Sequence, residues 1–285
     1  FDANFDVCSP PIPSVSVAQL DEKVILSFEE GSEDVENYSC SDYVFEGYNV
    51  YQGESPTGPW HRVTTFDLVN DIKTIMDLEL DEVTGAILEL PSQFGTDSGI
   101  EHYIELTDDK INSGHLIHGR KYYYTVTAYA YDPDAAQRVI ESPTESITTI
   151  PMEPGLGSDI ESTFDDLLEI NHPIGIAGLS VYAQVINPYQ LTGDDYLLYF
   201  NTDTITGDNY WNLINSTLVN SSINTTTDSL FINQTIFPFS SYLITDGFIL
   251  TFGNATFEAP TTNISATQTA FGDGSSVTNV EYSIT

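Results

Sequence analysis

The C-terminal half of this chain contains no basic residues, and this absence limits how it can fold. From Val139 to Thr285, 147 consecutive residues include neither lysine nor arginine, whereas average composition would place roughly 18 there. Packed apolar side chains, backbone hydrogen bonds and any bound cations must therefore stabilise this half. The same absence argues against binding of phosphate, nucleic acid or anionic membranes, and against Schiff-base chemistry.

The acidic excess extends over the whole chain. There are 43 acidic and 7 basic residues, for a net charge of −36. The residues up to Ile150 include 28 of the acids and all of the bases, and the remainder holds 15 acids. Such a charge keeps molecules apart in dilute salt, and high ionic strength or divalent cations relieve the repulsion. The composition therefore predicts an extracellular protein, in which the acids serve either solubility alone or calcium binding as well.

The remaining composition predicts sheets and two domains. Seventeen tyrosines and 15 phenylalanines stand against 2 methionines, and aromatic residues are enriched in strands. A length of 285 residues suggests two domains. The sequence contains no run of about 18 apolar residues, so it predicts no transmembrane helix. The start at Phe1, without a visible signal peptide, predicts a mature or trimmed chain.

The two cysteines, Cys8 and Cys40, predict a disulfide in an oxidising exterior. The bond would close a loop of about 31 residues, and such bonds typically contribute about 2–4 kcal/mol to stability. Two unrelated free thiols are the alternative.

The first seven residues, FDANFDV, alternate strictly between apolar and polar side chains. Phe1, Ala3, Phe5 and Val7 share one face of a predicted strand. Prolines then interrupt the pattern, so we predict an extension over residues 1–10 that lies outside the regular strands of the first domain. This extension either completes a sheet in a neighbouring molecule, as an assembly strand, or pairs within its own domain beside the predicted disulfide.

Residues 11–150 predict an antiparallel domain of short strands. Between residues 67 and 100 the pattern is less regular and fits a strand, a turn at VTG and a second strand, which together form an insertion. The strands predicted in the regular part are SVSVAQL, KVILSF, FEGYNVYQ, PWHRVTTF, EHYIELT, RKYYYTVTAYAYD and ESPTESITTI.

The run PMEPGLG, residues 151–157, predicts a linker because proline and glycine separate periodic segments. After it, SDIESTFDDLLEI is either a short helix capped by Ser158 or Asp159, or an extended linker. Residues 158–285 otherwise predict a second domain with frequent turns. Its strands are LSVYAQVIN, DYLLYFNT, NYWNLIN, SLFINQT, GFILTFG and VTNVEYSIT. The predicted fold class is all-β, with two antiparallel β-sandwiches in tandem.

The segment LIHGRKYYYTVTAYA resembles the sixth-strand region of fibronectin type III domains, which have an immunoglobulin-like fold. In that family a leucine, a tight glycine turn and a tyrosine precede alternating apolar residues. The matching residues here are Leu116, Gly119 and Tyr122, followed by Tyr124, Val126 and Ala128, while His118 stands where the family usually has proline. Gly47, Tyr48 and Val50 are similar to the third strand, and Phe28 takes a place often held by tryptophan.

The order of FEGYNVYQ, FGTDSGI, GRKYYYTVTAYAY and ESP is similar to modules of large secreted or surface proteins of marine and Bacteroidetes-type bacteria. The later segments INPYQLTGDDYLLYF, YWNLIN, NQT and TDGFILTF resemble the domain that follows such modules. The resemblance implies an architectural role and brings no catalytic residues to this chain.

Four aspartates in turns of the second domain are candidate calcium ligands, since calcium prefers loop carboxylates. They are Asp194, Asp195, Asp203 and Asp208. No EF-hand spacing is present, and aspartate is also an ordinary turn residue. Calcium is the one cofactor that the sequence suggests, and turn formation alone is the alternative.

The HLIH pair, His115 and His118, lacks the further ligands that zinc requires, so no zinc site is predicted.

Four aromatic residues are candidates for a sugar-binding face, although alternating aromatic residues in strands usually belong to the core. They are Trp60, Trp211, Tyr210 and Tyr242.

Seven N-x-Ser/Thr sequons mark candidate N-glycosylation sites. One lies in the first domain and six lie in the second. The alternative is that the sequons of the second domain carry no glycans and reflect strands and loops rich in threonine and asparagine. The asparagines are Asn37, Asn215, Asn220, Asn224, Asn233, Asn254 and Asn263.

No nucleophile elbow, P-loop or CxxC motif occurs, and no carboxylate pair stands out, so no catalytic residue is predicted. We predict a non-enzymatic structural protein of the cell surface. It would be a subunit or repeat unit of a filament, appendage or layer that binds copies of itself. The alternative is a carbohydrate-binding or adhesive module of a larger secreted protein, with glycans as partners.

Overall fold

A computed structural model describes residues 8–28, 32–80, 85–153, 162–174, 179–202, 209–217, 229–235, 246–254 and 280–284. The described residues form strands and one short helix, so the predicted all-β class is confirmed. The chain divides into two compact units, Phe1–Ser158 and Asp159–Thr285, and the division falls next to the predicted linker.

The first unit contains eleven strands and one helix among its described residues. They are β1 (Val15–Leu20), β2 (Lys23–Phe28), α1 (Ser32–Glu36), β3 (Ser39–Cys40), β4 (Tyr43–Gly53), β5 (Trp60–Asp67), β6 (Thr74–Leu80), β7 (Ile87–Phe94), β8 (Tyr103–Leu106), β9 (Tyr122–Tyr131), β10 (Val139–Glu141) and β11 (Ile147–Thr149). Each segment predicted as a strand in the regular part of this unit contains strand residues, but ESPTESITTI is a strand only at Glu141, the end of β10, and over β11.

Two antiparallel sheets of the first unit share one apolar core. The smaller sheet has the order β1-β2-β8, and the larger has the order β10-β9-β4-β3, with β11 also paired to β9 and β5 to β4. Both sheets contribute buried side chains to a single cluster, an arrangement that fits a β-sandwich. The buried members are Val24, Leu26, Phe28, Val35, Phe45, Tyr48, Val50, Phe66, Leu106, Leu116, Tyr122, Tyr124, Val126 and Ala128.

Alternation along β4 and β9 explains how this core forms. Tyr48 lies opposite Ala128, and Val50 lies opposite Val126, so alternate side chains of both strands share the inner face. Tyr48 contacts Phe28 of the facing sheet with 4.5 Å between ring centroids. Burying each large apolar side chain contributes about 1.5–3 kcal/mol, and this packing holds the two sheets together.

The insertion between residues 67 and 100 forms an antiparallel hairpin of β6 and β7, as the strand–turn–strand interpretation predicted. This two-stranded sheet is separate from the two core sheets in the described part of the chain. Polar contacts attach the hairpin to the larger sheet, as detailed below.

The predicted disulfide is confirmed. Cys8 is bonded to Cys40 of β3, with 5.6 Å between their Cα atoms. The hydroxyl of the next residue, Ser9, donates to the carbonyl oxygen of Glu141 in β10 at 3.2 Å. The segment that leads into β1 is therefore fixed to the larger sheet, and the bond indicates a non-reducing environment.

The second unit contains seven strands among its described residues. They are β12 (Ile170–Ile174), β13 (Leu179–Val185), β14 (Tyr196–Thr202), β15 (Asn209–Asn215), β16 (Ser229–Thr235), β17 (Phe248–Asn254) and β18 (Val280–Ile284). A five-stranded sheet has the order β12-β18-β14-β15-β16, and β13 pairs with β17. The ring of Tyr196 in β14 contacts that of Phe248 in β17 at 5.0 Å, so the two sheets touch.

The helix suggested for residues 158–170 is wrong for the part that is described, residues 162–170. Asp165 and Asp166 lie in a turn, and Leu167 forms an isolated bridge with Gln184. The Asp166 carboxylate accepts from the Thr163 amide at 2.6 Å, and the Val185 amide donates to the Asp166 carbonyl at 2.8 Å. These contacts replace helical hydrogen bonds. The two suggested capping residues, Ser158 and Asp159, lie outside the described residues.

The helix α1 was not predicted. It spans five residues, and Val35 contributes its side chain to the core of the first unit. One buried side chain leaves too little periodicity for a helix of this length to be recognised in the sequence.

In the described ranges, no helix is both long and apolar enough to span a membrane.

Candidate functional site

The candidate calcium ligands are only partly described. The Asp194 carboxylate accepts from the side-chain amide of Asn215 at 2.8 Å, and the Asp195 amide donates to the hydroxyl of Thr217 at 2.7 Å. These contacts join the loop before β14 to the end of β15. Asp203 and Asp208 lie outside the described residues. Within the described ranges no group of three or more acidic, histidine or cysteine side chains is arranged to hold a metal ion.

The candidate glycosylation sites differ in accessibility where they are described. Asn37 is exposed, next to α1. Asn215 is only 3% exposed, and its side-chain nitrogen donates to Asp194. A glycan on that nitrogen would disrupt this contact, so the fold does not favour Asn215 as a site. Asn233 and Asn254 lie in β16 and β17, and the three remaining sites, Asn220, Asn224 and Asn263, are outside the described residues.

Of the four aromatic candidates for sugar binding, only Trp211 and Trp60 have described side chains, and neither is exposed. Trp211 is fully buried in the second unit. Trp60 is half-buried and packs so closely against Gly53 that a Cβ atom there would lie 2.6 Å from its ring. Tyr242 lies outside the described residues. Each of the two histidines bonds to a different carboxylate, His115 to Asp108 and His118 to Asp21.

A polar network centred on the buried Asn49 and Gln93 lies between the larger sheet and the insertion hairpin. The side-chain amide of Asn49 in β4 donates to Glu141 at 2.9 Å, and Asn49 accepts from Gln93 of β7 at 2.8 Å. Arg62 of β5 donates to Gln93 at 3.0 Å. The Tyr51 hydroxyl also donates to Glu141, and burial together with this carboxylate raises the pKa of Tyr51. The network fixes the hairpin over polar groups that a bare sheet would expose to water.

A second hairpin contact is charged. Arg138, directly before β10, donates to the carbonyl oxygen of Met76 at 2.8 Å and to Glu89 at 2.6 Å. Its backbone amide donates to the Asp77 carboxylate at 3.1 Å. One arginine therefore contacts both strands of the hairpin.

An acidic cluster lies at the base of the insertion. Glu46 is 2% exposed, and both of its carboxylate oxygens accept from the side-chain amide of Asn70, at 2.8 and 3.0 Å. The buried Asp67 accepts from the amide and hydroxyl of Thr96 and from the amide of Asp97. Burial, followed by the charges of Asp67 and Asp97, raises the pKa of Glu46 to about 7, although the bond from Asn70 lowers it.

Five large apolar side chains of the hairpin are exposed, namely Leu78, Ile87, Leu88, Leu90 and Phe94, and Ile87 reaches 69%. They lie on both faces of the hairpin, because successive residues of a strand, such as Ile87 and Leu88, point to opposite faces. Exposed apolar side chains gathered on one element mark interaction sites on folded proteins. We call these five residues the hairpin patch.

A groove of about 160 Å³ opens beside the first strand of the smaller sheet. It lies where the last strand of the larger sheet is interrupted, because β10 ends at Glu141 and β11 begins at Ile147. We call it the edge groove. Its main lining residues are Ile12, Pro13, Val15, Val126, Glu145 and Ile147.

Sequence reasoning missed the polar network, the acidic cluster, the hairpin patch and the edge groove. The sequence signal for the first two was the occurrence of polar residues at strand positions between aromatic ones, as at Asn49. Such positions normally face water on a sheet, and only the folded hairpin reveals that they are covered.

No protein-family model matches this chain, and neither the curated proteins nor the solved structures contain a significant match.

Proposed function

We propose that the chain consists of two antiparallel β-sandwich domains of the immunoglobulin and fibronectin type III kind, in tandem. In the first unit, the facing sheets β1-β2-β8 and β10-β9-β4 with β5 support this assignment, because this class packs two such sheets around one core. In the second unit, the contact between Tyr196 and Phe248 joins a five-stranded and a two-stranded sheet.

The proposed function is that of a non-enzymatic structural subunit of an extracellular filament, appendage or layer, with copies of the same chain as partners. The hairpin patch is the observation that carries this proposal. It exposes five large apolar side chains on a chain whose net charge is −36. An apolar docking surface allows strongly acidic molecules to associate without electrostatic attraction.

The charge distribution supports contacts of this type rather than ion pairs. All seven basic residues lie in the first 138 positions, and several already contact acids of the same chain. Few cations therefore remain for salt bridges between copies. Edge strands such as β1 offer directional backbone pairing as a second means of association.

Sedimentation velocity and negative-stain electron microscopy test the proposal. We expect oligomers that grow with protein concentration and with added sodium chloride, because salt screens the repulsion between acidic copies. Contacts made by ion pairs would weaken under the same salt. A chain that stays monomeric at every concentration and salt level would contradict the structural function.

A further inference from the structure

We infer that the edge groove is the acceptor site for the first seven residues of a second copy of this chain. This inference rests on the proposed structural function and names the contact through which copies join. The incoming strand pairs with the outer edge of β1 and places one phenylalanine ring in the groove.

The groove has the volume for one aromatic ring. That volume is about 160 Å³, close to the volume of about 150 Å³ of an enclosed apolar cavity that holds benzene in another protein. Ile12, Val15, Val126 and Ile147 supply apolar walls, and Ser14, Glu145 and Ser146 add polar groups to the lining. Val126 is a core residue, 3% exposed, so a ring in the groove extends the core of the first unit.

The backbone beside the groove is available for pairing. In the described part of the chain, β1 pairs only with β2, so its other edge is an outer edge of the smaller sheet. Edge strands present unpaired backbone groups to an added strand, and pockets beside them select alternate side chains of that strand.

The sequence FDANFDV matches such a site. Phe1, Ala3, Phe5 and Val7 share one face, while Asp2, Asn4 and Asp6 share the other. An added strand with this pattern turns the face that carries Phe1 and Phe5 toward the groove, so that one ring enters it, and turns its aspartates to water. The segment lies outside the described residues and ends at Cys8.

The position of Cys8 favours a groove in another copy over the groove of the same chain. Cys8 is bonded to Cys40 in β3, and the next residue, Ser9, bonds to Glu141 in β10, so the chain leads from Cys8 toward β10 and the groove. To reach its own groove, the segment would have to reverse at Cys8 and run beside residues 9–13. Prolines at positions 10, 11 and 13 provide no N–H groups for such a hairpin.

Photocrosslinking of the full chain tests this contact. Benzoylphenylalanine replaces Phe5, the protein is made in unlabelled and ¹⁵N-labelled forms, and the two are mixed in high salt and irradiated. We expect cross-links between light and heavy chains that map by mass spectrometry to residues 12–15 or 145–147. The same probe at Asp6, on the opposite face, is the control and should give few cross-links to these residues.

Each outcome is decisive. Cross-links from position 5 to residues of the same chain would overturn the inference. Oligomers whose cross-links do not map to the groove would also overturn it, but they would leave the proposed structural function intact. Absence of oligomers under all conditions would overturn both. A second variant, Ser146→Phe, fills the groove from its rim and should reduce cross-linking several-fold while the melting temperature of the monomer stays unchanged.

Discussion

The backbone N–H of Ile117 donates a hydrogen bond of 2.9 Å to the phenolic oxygen of Tyr122, five residues further along the chain. Tyr122 is 3% exposed, and Leu116, next to the donor, is 1% exposed. The bond fixes the turn at Gly119 before β9 begins. It has the geometry of the tyrosine corner of immunoglobulin-like sandwiches, in which the tyrosine hydroxyl bonds to backbone a few residues upstream.

Tyr122→Phe should destabilise the first unit by about 1–2 kcal/mol, because it leaves the Ile117 N–H without this acceptor while the ring stays in the core. Hydrogen–deuterium exchange of β9 peptides across a denaturant series measures the effect in this unit. Tyr123→Phe, a neighbouring half-buried position, is the matched control and should change little. Equal effects of the two variants would show that the bond does not contribute specifically.

Glu46 should make the first unit less stable as pH rises. Its pKa is about 7 in the folded protein, raised from 4.5, so its contribution to stability is present below pH 4.5 and is lost as pH rises through 7. The difference corresponds to about 3 kcal/mol at most. Glu46→Gln should therefore be more stable than the parent protein at pH 8, and this advantage should disappear by pH 4.5.

Melting temperatures of both proteins between pH 4.5 and 8 test this prediction. Because the whole chain is acidic, only the difference between variant and parent isolates Glu46. Glu101→Gln, at an exposed position, removes the same charge and should give a difference that varies little with pH. A pH-independent difference for Glu46→Gln would contradict a raised pKa.

The disulfide should stabilise the first unit. The bond joins residues 32 positions apart, and the double variant Cys8→Ser with Cys40→Ser should lose about 2–4 kcal/mol of unfolding free energy. Denaturant unfolding with and without reductant measures the loss. Reductant should lower the unfolding free energy of the parent protein by the same amount and leave that of the double variant unchanged. A parent protein whose unfolding free energy does not change with reductant would contradict the prediction.

The hairpin patch should contribute to association and not to folding. The double variant Ile87→Ser with Leu90→Ser removes two exposed apolar side chains and should raise the concentration needed for oligomers several-fold, with an unchanged melting temperature. Sedimentation velocity provides the measurement. Ile117→Ser changes an isoleucine that is 54% exposed outside the patch and serves as the control. An equal effect of the control would mean that general hydrophobicity drives association.

Much of the fold was predictable because strands leave a period of two in the sequence. RKYYYTVTAYAYD predicted β9 because apolar residues alternate with threonines in its middle part. DYLLYFNT predicted β14 because it is a short aromatic and aliphatic run bounded by turn residues. The segment around Asp165 was harder, because its acids and leucines suit a helix locally while backbone bonds to Ala183 and Val185 decide its conformation. Such long-range pairing outweighs local propensity.

The candidate surfaces also differ in whether the local sequence predicts them or only the fold reveals them. The sequence by itself determined the acidic charge, the alternation of the first seven residues and most of the strands, and it marked Cys8 and Cys40 as candidates for a disulfide, since each depends on residue type and spacing along the chain. Only the tertiary structure decided that Glu46 and Asn49 are covered, that Ile87 and Leu90 are exposed, and that a groove opens beside Val15. These features depend on which distant segments lie against one another, and a pattern of polar and apolar residues does not specify that.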